Sequence, residues 1–174
     1  LSDHGDMLFD HDMVAKRLMY DNSARIPLIF AGKPVLEYKG KGYENKLATM
    51  SDVMPTLLDM CGIEVPEHVD GFPLFSDNTR EYVYGEVSNG EKATRMIRDK
   101  KYKLIYYPCG NIKQLFDMEN DPHETHDLSS VVGYESILSN LESKLISELY
   151  DTDLEWIKEG KLVGFEAPKD FKPT

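Results

Sequence analysis

Between residues 81 and 118 lie four short segments, EYVYGEV, ATRMIRD, KYKLIYYP and KQLFDM, separated by turn signals. Each is rich in aromatic or β-branched residues, the composition that suits a pleated, half-buried surface. Asp99-Lys100 divides the second from the third, and PCGN divides the third from the fourth. Strands this short and this closely joined pair antiparallel in chain order, because a parallel pairing needs a long crossover. A four-stranded antiparallel meander is therefore expected. ESILSNLESKLISELYD then places Ile137, Leu138, Leu141, Leu145 and Leu149 on one face, which predicts an amphipathic helix lying on that sheet. The final GKLVGFEAPKDFKPT reads as a tail.

The front of the chain has a different texture. IPLIFA, residues 26 to 31, is continuously apolar and bounded by Gly32, as expected of a strand covered on both faces in a parallel sheet. Residues 33 to 46 are polar and form a surface excursion. SDVMPTLLDMCGI predicts a short helix, with Asp52 as N-cap, Pro55 in the first turn and Gly62 as the stop. EVPEHVDGFPLF, with two prolines and a glycine, is a loop. The organisation expected is an α/β piece over residues 1–75 and an antiparallel α+β subdomain over 76–174. One buried strand cannot make a sheet, so the amino-terminal half of a longer parent chain is expected to supply its neighbours.

A hydrophobic fraction of 41% supports a real core. A net charge of −11 excludes a general nucleic-acid binder, which needs a clustered basic surface. No apolar run approaches the ~20 residues of a membrane span. Cys61, in an apolar helical run, is expected to be a buried small hydrophobe, and Cys109, in a turn, an exposed free thiol; neither has a base placed beside it.

The most chemically loaded stretch is the first. SDHGDMLFDHDMVAKRLMYDNSARIPLI gathers carboxylates, two histidines and a lysine ahead of the apolar run. Asp3 and His4 are adjacent, so both reach one ion only where a strand has just ended and the chain turns, a turn that Gly5 would permit. The ordered set Ser2-Asp3-His4-Gly5, Lys16, Tyr20-Asp21 and Arg25-Ile26-Pro27-Leu28-Ile29 resembles the sulfatase family of the alkaline-phosphatase-like superfamily. SDVMPTLLDMCGIEVPEHVDGFPL and MIRDKKYKLIYYPCGNIKQLFDMENDPHETHDLS are similar to its later segments, in order and at matching spacing.

The resemblance implies the carboxy-terminal part of an alkaline-phosphatase-like sulfatase fold. It makes Asp3 and His4 ligands of a divalent cation, calcium ahead of magnesium, and Lys16 a binder of the substrate's sulfate oxygens. His11, inside an Asp-His-Asp triplet, is a candidate for substrate contact, with a solvated loop histidine as the alternative. The chain departs from the family pattern at Asp12 and Ala15, where glycine is common. The implied substrate is a sulfate ester, such as that of a sulfated carbohydrate. The family's nucleophile arises from a cysteine in a C-x-P-S-R stretch, which is absent here, as is the family's first pair of metal aspartates. The metal site is thus expected to be incomplete and the chain alone inactive, the parent protein being the sulfuric ester hydrolase. Two alternatives stand beside this: a phosphonate or phosphodiester hydrolase of the same superfamily, and a non-catalytic glycan-binding module. Periplasmic or extracellular placement is favoured over cytoplasmic.

Overall fold

A computed structural model describes residues 1–33, 35 and 46–171. The meander forms as expected. Strands β1 (Val83–Val87), β2 (Thr94–Arg98), β3 (Tyr102–Tyr107) and β4 (Ile112–Asp117) lie in the order β1-β2-β3-β4. The β2–β3 and β3–β4 pairs are antiparallel, with Ile97 opposite Leu104 and Leu104 opposite Leu115. The β2–β3 turn is set by Asp99, whose Oδ1 accepts the N–H groups of Lys101 at 2.8 Å and Tyr102 at 2.6 Å.

The chain divides into two compact units, residues 1–27 with 84–174, and residues 28–83. Within the first, both faces of the sheet are covered. Met96, Ile105, Tyr107 and Phe116 pack against Met7, Leu18, Met19 and Tyr20 from the chain's front. On the opposite face lie helix α3 (Glu135–Glu148, following the short helices α1, Asp21–Ala24, and α2, Val53–Met60) and the 3-10 turn Asp151–Trp156. Leu141, Leu145 and Leu149 are buried, as the periodicity required, and Lys113 Nζ donates to Glu142 of α3 at 2.7 Å. The turn is held by Arg95, buried on β2. Its Nε and Nη2 meet the Asp153 carboxylate at 2.7 and 3.1 Å, and its Nη1 donates to the carbonyls of Val87, Ser88 and Thr94. Such a guanidinium can be buried only because almost every donor is answered.

The final stretch is not a loose tail. β5 (Ile157–Lys158) and β6 (Lys161–Leu162) form a hairpin, and Phe165 then exchanges backbone hydrogen bonds with Pro108 and Gly110. This return strand covers Cys109, which is fully buried rather than exposed. The other cysteine expectation is also reversed. Cys61 is exposed, in line with Met50, Met54 and Leu57, whose i, i+4, i+7 spacing places them on the exposed side of the helix.

Within the second unit, α2 starts after a 3-10 turn at Met50–Asp52 and stops at Gly62, whose φ of 68° and N–H bond to Asp59 end it as anticipated. Asp52 occupies the N-cap position without capping α2 through its side chain. Its buried carboxylate instead receives Arg80 through two bonds of 2.6 Å, and the N–H groups of Thr49 and Phe72. The apolar run at 26–31 is not a strand, and Ile29 is 79% exposed. A lone strand leaves its N–H and C=O groups without a ladder, and no strand among the described residues pairs with this segment. The polar excursion falls largely on residues 34 and 36–45, outside the described set.

Candidate active site

The loaded stretch folds back onto the sheet as a loop pinned at both ends. Met7, fully buried, anchors one side, and Leu18, Met19 and Tyr20 anchor the other. The Met7 N–H donates to Ala15 O at 2.8 Å and the Phe9 N–H to Met13 O at 2.9 Å, tying the two arms together. Gly5 is demanded by close approach rather than by a turn. Its N–H donates to Ser23 O at 2.9 Å, and a Cβ there would overlap the Asn22 carbonyl oxygen. The loop's tip is strained: Leu8, Phe9, His11, Asp12, Ala15 and Arg17 all have φ between 46° and 79°. L-residues avoid that region because Cβ crowds the following carbonyl, and such outliers concentrate at working sites. The two positions at which the family pattern favours glycine, Asp12 and Ala15, have φ of 58° and 64°.

This loop brings Lys16 back to Asp3 and His4. Lys16 Nζ lies 2.6 Å from His4 Nε2, and His4 Nε2 lies 3.4 Å from Asp3 Oδ2. His4 Nδ1 is 2.6 Å from the Gly5 carbonyl. A carbonyl only accepts, so Nδ1 carries the proton and Nε2 presents its lone pair to the Lys16 ammonium. Ser2 Oγ donates to His4 O at 2.7 Å, fixing the backbone beneath the ring. Backbone hydrogen bonding, including that from the His4 N–H, holds the Asp3 carboxyl below its ordinary range, helped by the Lys16 ammonium. It therefore stays an anion in mildly acidic solution.

His11 is engaged elsewhere. Its ring stacks on Tyr20 with centroids 4.1 Å apart, and its Nε2 lies 3.1 Å from His123 O. Those contacts buttress the loop from behind.

Sequence reasoning missed the group that fixes the loop to the sheet. Lys103, the second residue of β3, is fully buried, and its ammonium donates to Met19 O at 3.0 Å, Asp21 Oδ1 at 2.5 Å and Glu124 Oε1 at 2.7 Å. All three of its N–H groups are used. Arg98 adds two bonds of 2.8 Å to Asp21, and Glu124 Oε2 accepts the Asp21 N–H at 2.6 Å. Burial pushes the Asp21 carboxyl up, but Lys103 and Arg98 outweigh it and hold the pKa below the usual carboxylate value. The available signal was a lysine flanked by apolar residues, KYKLIYY, at an inward position of a strand.

Residues 9–151 match the family model for the carboxy-terminal region of N-sulphoglucosamine sulphohydrolase. The chain belongs to the sulfatase family. Among sulfatases, an arylsulfatase of Clostridium perfringens is 36% identical over 157 residues, covering 86% of this chain and 32% of that protein. A solved 2-O GAG sulfatase superposes with a TM-score of 0.71 at 34% identity, over 79% of this chain and 32% of the other. Another solved structure, a protein in complex with its substrate D-glucosamine-2-N,6-O-disulfate, matches with a TM-score of 0.65 at 25% identity, over 83% of this chain and 32% of that one. The chain thus spans about a third of the length of the relatives it matches. Its four-stranded sheet and packed helix are the carboxy-terminal portion of a sulfatase fold.

The chemistry of the front cluster fits one edge of a divalent-cation site. Two donors about 2.4 Å from one ion and at right angles lie about 3.4 Å apart, and the Asp3–His4 separation is 3.4 Å. The Nδ1–H bond to a backbone carbonyl is also the usual outer support of a ligating histidine. Among the described residues no group of three or more His, Cys, Asp or Glu side chains could hold an ion alone.

Proposed function

We propose that the whole protein hydrolyses a sulfate ester of a carbohydrate, and that this chain supplies one wall of the active site. In this reading Asp3 and His4 are ligands of a divalent cation, and Lys16 grips the sulfate. The observation that carries it is the convergence of Lys16 Nζ, His4 Nε2 and the Asp3 carboxylate within successive contacts of 2.6 and 3.4 Å. Lys16 lies twelve positions after His4 and is joined to it by a strained loop with a buried anchor at either end. The sulfated sugar in the complexed relative supports a carbohydrate substrate.

The chain's own residues then divide the work. His4 Nδ1 is taken up by the Gly5 carbonyl, so Nε2 is the ring nitrogen left to face an ion. Asp3 brings the negative charge that a hard cation requires. Calcium is preferred over magnesium because it tolerates an irregular coordination sphere, although the imidazole nitrogen of His4 is an unusual donor to either ion. When bound, the cation supplies Lewis acidity toward a sulfate oxygen. Lys16 places an ammonium with three donors beside that position, and charge-assisted bonds of this kind contribute about 1.5–3 kcal/mol each. With a cation held by His4 Nε2, the Lys16 ammonium, which is 2.6 Å from that nitrogen, would be left to donate to an anionic substrate oxygen. The nucleophile comes from outside this chain, so the chain alone turns over no sulfate ester.

The test pairs p-nitrophenyl sulfate with phenyl phosphonate p-nitrophenyl ester on the intact parent, and p-nitrophenyl sulfate on this chain alone. Preferential sulfate hydrolysis by the parent, reduced about 10- to 100-fold by Lys16→Met, is expected. Faster phosphonate turnover would move the protein to the sister chemistry. Calcium added to the isolated chain should shift the His4 ring resonances by NMR and leave those of Asp3→Asn unmoved.

A further inference from the structure

Beside Lys16 the first unit carries a second feature that the sulfate clamp does not use. A shallow pocket of about 220 Å³ is lined by Met13, Val14, Lys16, Arg17, Leu18, Ser88 and Lys92. That is room for about seven waters, enough for one ring substituent and part of the ring that bears it. Three of the seven lining residues are cationic and none is acidic, in a chain with 31 acidic and 20 basic residues. In so acidic a protein, a small concavity with only positive charge focuses the field on anions.

Its two sides come from separate parts of the chain. Lys16 and Arg17 sit on the strained tip of the front loop, with Arg17 at φ 79°. Ser88 and Lys92 come from the β1–β2 connection, where Ser88 and Gly90 have φ of 57° and 61° and a 3-10 turn spans Gly90–Lys92. Ser88 is also fixed through its carbonyl, which accepts the buried Arg95 guanidinium at 3.1 Å. Arg95 in turn is locked to Asp153, so this wall is tied to the sheet. The apolar Met13, Val14 and Leu18 complete the lining, so the cationic groups stand beside an apolar wall.

We propose that this pocket is an anion subsite for the substrate group next to the scissile sulfate, a second sulfate or a carboxylate on the same sugar unit. The inference rests on the reading of Lys16 as the sulfate clamp, since Lys16 is common to both. Lys92 and Arg17 then act as specificity residues: they grip a substituent that is not cleaved and favour polyanionic sugars over singly sulfated ones. Ser88 adds a neutral hydroxyl that can donate to the same anion.

The ¹⁵N-labelled chain is titrated, with amide shifts followed by NMR, against glucose 6-sulfate, glucose 2,6-disulfate and glucuronic acid 2-sulfate. One of the two dianionic sugars should bind about tenfold more tightly than glucose 6-sulfate, as one further charge-assisted contact implies. Whichever does so identifies the second anion. The shifts should include Ser88 to Lys92. Lys92→Met should remove the tenfold gain, leave glucose 6-sulfate affinity within twofold, and leave the melting temperature unchanged because Lys92 is exposed. Lys92→Arg should keep the gain. Lys16→Met should weaken all three sugars. Undiminished binding of every sugar by Lys16→Met would overturn the clamp reading and this inference with it. Lys16-dependent binding with no gain from a second anion, or a gain that survives both Lys92→Met and Arg17→Met, would overturn this inference alone.

Discussion

Replacing Ala15 by glycine should stabilise the protein, against the usual direction of such a change. Ala15 has φ 64° and forms no part of a regular element. An L-residue in the left-handed region costs about 1–2 kcal/mol. Glycine relieves that strain but gives the unfolded chain more freedom, which costs about 0.4–1 kcal/mol. The difference leaves a gain of about 0.5–1 kcal/mol. The Ala15 carbonyl still accepts the Met7 N–H, so no bond is lost. Because Met7 is fully buried in the main apolar cluster, relief at Ala15 reaches the global transition. For a chain of 174 residues this corresponds to a rise of about 1–4 °C in Tm. Urea unfolding followed by circular dichroism should show a matching rise in midpoint with unchanged slope. Ala24→Gly is the control: Ala24 is exposed in the short helix α1, and the same substitution there should cost about 0.5–1 kcal/mol. If both variants fall together, the left-handed loop tip is not the conformation of Ala15 in solution, and its account of the family's glycine preference fails.

Lys103→Met removes the cation shared by Asp21 and Glu124 and should destabilise by about 3–5 kcal/mol, since Glu124 is left buried without a cation and Asp21 with Arg98 alone; a loss under about 1 kcal/mol in urea unfolding would contradict the network. The same network gives a pH signature. The folded pKa of Asp21 is depressed, so its contribution is present above the ordinary carboxylate value near pH 4 and is lost as pH falls further. The Tm difference between the protein and Asp21→Asn should therefore be constant from about pH 7 to 5 and shrink below about pH 4; a constant difference down to about pH 2 would exclude it. Gly5→Ala drives a methyl group into the Asn22 carbonyl and should cost about 1–3 kcal/mol. It should also displace the His4 ring, visible as a shift of its NMR resonances; unperturbed His4 signals would refute the close approach.

The sheet and its helix were legible because both obey simple periodicities. Strand positions alternate and helix positions recur at three and four, and Leu141 and Leu145 are buried where that pattern put them. The second cover of the sheet was not legible. Met7, Leu18 and Met19 are scattered among charges in a loop, and a loop's burial has no period. The two cysteines came out reversed for related reasons. Cys61 has apolar neighbours that face outward, and Cys109 is covered by Phe165, more than fifty residues later in the chain, as no local pattern foretells. The run at 26–31 has strand composition, but a strand is a property of a pair, and composition cannot supply the partner. Asp3, His4 and Lys16 are proposed through their resemblance to a family motif, not through local physics. The loop that joins them is held by strained backbone and by Lys103, and neither leaves a mark in spacing.

The ammonium of Lys103 makes the first 27 residues and the sheet inseparable cargo. A chimera that grafts this sheet onto another relative therefore cannot be cut at the obvious seam near residue 76. It must carry the front loop along as one cassette, or transplant Asp21, Arg98, Lys103 and Glu124 together. A splice that separates them would strand a charge in an oily interior, and the hybrid would be lost to aggregation before its chemistry could be assayed.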